Sequence, residues 1–99
     1  MKLRYRAIAR RDVEEAREWY ETHSPELESR FAAELAATLA TILQHPRVFP
    51  VVRAQVRRAA LPVFPYLVYY LPRDEGLVIL RVLHGKRHPD TWKRGRSES

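Results

Sequence analysis

Ninety-nine residues, 45% hydrophobic and 30% charged, describe one globular domain, because two pieces of half that length would each bury too little surface to be stable. The chain has no cysteine, which excludes a disulfide framework, a thiolate metal site and a cysteine nucleophile. The net charge of +6 is unevenly placed: residues 1–46 hold seven Lys/Arg against eight Asp/Glu, and residues 47–99 hold eleven against four. The second half, at +7, is therefore the one expected to attract a phosphate-rich or acidic partner. Met1-Lys2-Leu3-Arg4-Tyr5-Arg6 is followed by no apolar core of a signal peptide, and no apolar run approaches the ~20 residues of a membrane helix. The expectation is a cytoplasmic protein with no membrane partner. Its domain is expected over residues 1–93, with a flexible tail at 94–99.

In chain order, Lys2 to Ile8 alternates Leu3, Tyr5 and Ala7 against Lys2, Arg4 and Arg6, the period of a half-buried strand. Asp12 then offers an N-cap, with Glu14, Glu15 and Glu18 near the positive end of a helix. Val13, Ala16 and Tyr20, with Trp19 alongside, give that helix an apolar stripe. Ser24 is placed to cap a second helix, with Pro25 at its first position. Leu27, Phe31, Leu35, Leu39 and Ile42 recur every three or four residues along it, and His45-Pro46 ends it. Two helices joined by so short a turn form an antiparallel hairpin that covers one face of a sheet. Arg47 to Ala54 reads as a connection. Strands are expected over Gln55–Leu61, Pro65–Leu71 and Leu77–His84, the middle one central because Tyr66 to Leu71 is apolar on both faces. Pro72 to Gly76 reads as a five-residue hairpin loop. The fold class is α+β, in the order β-α-α-β-β-β, with both helices on one face of the sheet.

The chemistry-bearing residues gather late. Val56-Arg57-Arg58-Ala59 enters the first of these three strands, and Val82-Leu83-His84-Gly85-Lys86-Arg87-His88-Pro89 follows the last, with Trp92-Lys93 beyond. His84 and His88 are the late groups that titrate near neutrality. Strand alternation lets only one of Arg57 and Arg58 face a given site. The spacing His84-x-x-x-His88 crosses a glycine and precedes a proline, and no carboxylate or third histidine is spaced to complete a metal set, so neither metal nor cofactor is expected. Plainer roles stand beside each functional one: His84 bonding a backbone carbonyl, Arg87 pairing with Asp90, and Trp92 stapling the C-terminal segment to the sheet.

Taken together, the early strand, the helical hairpin, the His45-Pro46 exit, Val56-Arg57-Arg58, Phe64-Pro65-Tyr66 to Tyr70, and Val82 to Arg87 resemble the RelE/ParE superfamily of plasmid-stabilisation type. The resemblance runs from Leu3 to about Trp92. It implies the toxin of a type II toxin–antitoxin module, masked by a small cognate antitoxin and reaching operator DNA only through it. RelE-like members cleave messenger RNA on the ribosome without a metal, whereas ParE-like members block DNA gyrase. In the nuclease reading, the 2′-hydroxyl attacks the adjacent phosphate, histidine carries the proton, and arginine forks hold the charge-rich transition state.

The resemblance puts Arg87 at the phosphate, Arg57 or Arg58 as a second cation, and His84 or His88 as acid or base. Lys86, Trp92 and Lys93 would bind substrate, the tryptophan by stacking on a base. Several RelE-like nucleases carry a C-terminal tyrosine where this chain has Trp92-Lys93, and tryptophan stacks but does not exchange protons. In the gyrase reading the same residues are surface contacts. A third reading is a non-toxic member that only binds its antitoxin and helps repress their operon.

Overall fold

Strand β1 (Lys2–Tyr5) exposes Lys2 and Arg4 and half-buries Leu3 and Tyr5. The computed structural model describes residues 2–86. Arg6 N–H donates to Ile79 O as the last bond of the strand, and the chain turns at once into helix α1 (Ala7–His23). The helix begins ahead of Asp12, so Asp12 is not its N-cap. Arg6 holds that place without a side-chain bond, and Ala7 and Ala9, good helix formers, carry the helix back to the end of the strand. Ala9, Ala16 and Tyr20 are buried, with Val13 packed beside them.

Ser24 alone joins α1 to helix α2 (Pro25–Gln44). Its N–H donates to Tyr20 O and closes α1, while its Oγ accepts from the N–H groups of Glu26 and Leu27 and opens α2. Pro25 starts α2 as expected, where a missing N–H costs nothing. An Arg17–Glu28 ion pair bridges the hairpin. Phe31, Leu35, Thr38, Leu39 and Ile42 are buried along one side, and His45 caps the C-terminus.

The sheet has strand order β1-β5-β4-β3-β2. Strand β2 (Val51–Arg53) is a short addition within the segment expected as a connection, and it pairs with β3 (Val56–Ala60). Strand β4 (Tyr66–Arg73) is central, antiparallel to β3 and to β5 (Gly76–His84). The β4–β5 loop is tighter than expected. The ladder continues through Pro72↔Leu77 and Arg73↔Gly76, leaving only Asp74 and Glu75 as the turn. Strand β1 runs parallel to β5, from Lys2↔Gly76 to Tyr5↔Ile79. Beyond Ile79, Leu80 is an extra residue in β5, since Tyr70 pairs with Ile79 and Tyr69 with Arg81.

Alternation along β4 builds two apolar clusters. Tyr66, Val68 and Tyr70 join the helices, and Leu67, Tyr69 and Leu71 face the other way with Val56, Val78, Leu80 and Leu83. On the helical side Tyr20, Phe31, Phe64 and Tyr66 form a ring cluster with centroids 5.0–5.5 Å apart for four of its pairs. Each such pair is worth about 0.5–1.5 kcal/mol beyond the area it buries. The loop carrying Phe64 is fixed by Glu34 of α2, whose Oε2 accepts from Val63 N–H and Phe64 N–H at 2.9 Å each.

Candidate functional site

The β3 arginines part company. Arg57 stands opposite Tyr70 and Arg58 opposite Tyr69, so they lie on opposite faces. Arg57 is half-buried on the helical side, and its Nη1 donates to Arg47 O at 2.9 Å and Phe49 O at 2.7 Å. Beside it, Tyr70 Oη donates to Pro46 O at 2.8 Å. The two side chains pin the α2–β2 connection by three carbonyls. Arg58 is exposed on the face without helices.

His84 closes β5 opposite Tyr66, its ring edge-on to the tyrosine at 5.3 Å. Its Nδ1 accepts from Lys86 N–H at 3.1 Å, which leaves the proton of the neutral ring on Nε2. The surroundings are acidic and aromatic. A cavity of about 230 Å³ between α1 and the end of β5 is lined by His84, Tyr66, Trp19, Glu15 and Asp12. Arg57 and His84 both approach the helical side, but their partners on β4 are four residues apart, about 13 Å along the strand and two strands across. Lys86 is exposed just past the strand. Arg87, His88, Trp92 and Lys93 lie outside the described residues.

Two features escaped the sequence reading. Asp12, expected as a cap, reaches β5 instead. Its Oδ2 accepts from Arg81 Nε at 2.8 Å and Val82 N–H at 2.9 Å, and its Oδ1 from Arg81 Nη2 at 3.1 Å. This carboxylate closes part of the edge of β5 beyond Ile79, where β1 has already ended. The second feature is the distribution of charge, which follows the layers more than the halves of the sequence. Every Asp, Glu, Lys or Arg within the five strands is a Lys or Arg, whereas α1 and α2 carry Asp12, Glu14, Glu15, Glu18, Glu21, Glu26, Glu28 and Glu34. The alternation of Lys2 and Arg4 against Leu3 and Tyr5 was the available signal.

Burial raises the Tyr70 phenol above its ordinary value, with the Arg57 charge opposing; burial raises Tyr5 likewise, against Arg10. A phenol that keeps its proton longer in the folded state adds full stability below pH ~10, and that stability falls as pH rises through the raised value. Tyr70→Phe should lower stability by about 1 kcal/mol at neutral pH and flatten the alkaline fall. Melting temperatures of both proteins from pH 8 to 11 would check this, and an unchanged alkaline limb in the variant would contradict it.

Among the described residues no helix is long and apolar enough to cross a membrane. No curated protein matches the chain at a significant level. A solved structure described as the chromosomal ParDE TA system from P. aeruginosa has the same fold, with a TM-score of 0.73 over 85% of this chain and 95% of that one, at 18% identity. The family profile described as "ParE toxin of type II toxin-antitoxin system, parDE" matches residues 3–89. Most of the chain, from β1 through β5, is thus covered by one profile, and the protein belongs to the ParE toxin family.

Proposed function

We propose that this ParE-family toxin arrests growth by binding DNA gyrase, without an RNA-cleaving site, and that a small cognate antitoxin neutralises it in the cytoplasm. The observation that carries this reading is the position of Arg57. Its guanidinium is bound to the carbonyls of Arg47 and Phe49, which suits a loop anchor and not a phosphate clamp. Metal-free cleavage needs cations and a proton carrier within a few ångströms of one phosphate. Within residues 2–86 the cations at 57 and 58 face opposite ways, and His84 shares its cavity with Glu15, whose charge repels a phosphate. A protein acting by contact needs no such constellation, and the family profile is the one described as ParE.

The test is pulse labelling of new DNA and new protein after induction of the chain without antitoxin, run in parallel with His84→Ala. DNA synthesis should fall first, with the variant equally toxic, and purified toxin should inhibit supercoiling by gyrase. If protein synthesis falls first and His84→Ala restores growth, the nuclease reading replaces this one.

A further inference from the structure

We infer that the sheet face without helices carries a binding site for the phosphate backbone of duplex DNA, centred on Lys2, Arg4 and Arg73. The inference goes beyond the gyrase reading and does not depend on it. At one end of the sheet, these three cations line a depression of about 350 Å³ with Glu75, Gly76 and Val78. All three cations are exposed. The alternation of β1 puts Lys2 and Arg4 on the same side, away from Leu3 and Tyr5, which pack into the helical core. Arg73 shares the parity of Leu67, Tyr69 and Leu71 on β4 and so faces the same way. Glu75 is the one carboxylate at the depression, so the site is net cationic. Arg58, opposite Tyr69, continues the positive field across the same face.

The spacing suits a polyphosphate better than a single anion. Lys2 and Arg4 are two residues apart on β1, about 7 Å, and Arg73 stands two strands away, about 10 Å. Grooves of B-form DNA are about 6 and 12 Å wide, so the two rows can reach phosphates of both strands across one groove. What the face lacks selects duplex over single-stranded nucleic acid. Single-strand sites stack bases on exposed aromatic rings, and among the described residues the aromatic ring on this face is Tyr69, which is 1% exposed. A surface of cations without a stacking platform reads the backbone and not the bases.

The experiment is fluorescence anisotropy with the full-length chain and a labelled 20-base-pair duplex of arbitrary sequence, titrated at several salt concentrations between 50 and 200 mM. Three proteins are compared: the parent, R4Q/R73Q, and R11Q/R30Q, which removes the same charge from the helical layer. Circular dichroism confirms that each is folded. R4Q/R73Q should bind about tenfold more weakly at 50 mM salt and should lower the slope of log K against log salt by about 2. R11Q/R30Q should stay within about twofold. Three results would overturn the site: no duplex binding by the parent protein, equal weakening in both variants, or a single-stranded 20-mer bound as tightly as the duplex. Gyrase is absent from this assay, so its outcome is independent of the supercoiling test.

Discussion

Gly76→Ala should leave the protein unable to hold its sheet together. Gly76 opens β5 at φ +156°, a region that side-chain-bearing residues avoid, and a Cβ there would lie 1.8 Å from Lys2 O and 2.7 Å from Lys2 C and N. The obstacle is the Lys2 backbone, so no rotamer change relieves it. Either β1 leaves its parallel place beside β5, or the Asp74–Glu75 turn opens. Loss of β1 would uncover Leu3 and Tyr5, which pack on the main core, and would break the Lys2 N–H bond to Glu75 O. The expected cost is about 4 kcal/mol or more, a large share of the stability of a domain this size. Gly85→Ala is the control: its Cβ would meet only ordinary contacts, Leu67 Cδ1 and Pro65 O at 3.8 Å, and should change stability by less than about 1 kcal/mol. Urea unfolding of both variants decides the matter, and an unchanged midpoint for Gly76→Ala would sink the argument.

The second large effect is expected at Asp12. Removing its carboxylate strips Arg81 of a two-pronged partner and Val82 N–H of its acceptor in one step. Both side chains are largely enclosed, at 9% exposure for Asp12 and 20% for Arg81, so water replaces the lost bonds only in part. Asp12→Ala should cost about 3 kcal/mol and lower the melting temperature by roughly 12–24 °C. The double variant Asp12→Ala/Arg81→Met should lose less than Asp12→Ala alone, because it no longer strands a cation against the sheet. Thermal unfolding of the two variants separates this from simple loss of a surface pair, for which the single variant would melt within a few degrees of the parent.

Local patterns carried much of the fold. Ser24-Pro25 wrote the helix junction into two residues, because a capping hydroxyl and a proline at the first helical position serve one geometry. The double apolar alternation of Tyr66 to Leu71 placed β4 at the centre of the sheet, and the two clusters it feeds lie on its two faces. What the sequence hid was long-range. Nothing near Lys2 announces a parallel partner at Gly76, and nothing near Asp12 announces a guanidinium at Arg81. A carboxylate just ahead of an apolar helical stripe looks like a cap whatever distant strand claims it.

Arg57 illustrates the same limit at the candidate site. Its spacing beside Arg58 gave the alternation of faces, but the carbonyls that bind it belong to the preceding loop and become visible only in three dimensions. The charge asymmetry was legible as a difference between halves. Its sorting between helices and strands needed Lys2 and Arg4, from the acidic half, to be carried to the far edge of the sheet by β1.

That placement of β1 also governs how the chain can be made. In the sheet β1 has β5 as its neighbour, so β1 waits for the strand ending at His84 before it can pair. Until then β2, β3 and β4 can pair among themselves, but β1 stands apart from them, and pairings between such distant segments form late. A message broken ahead of β5 would yield a fragment without β1's partner or the arginine that Asp12 holds, an open chain exposed to proteases. Assembly of the folded domain therefore depends on a transcript intact through β5.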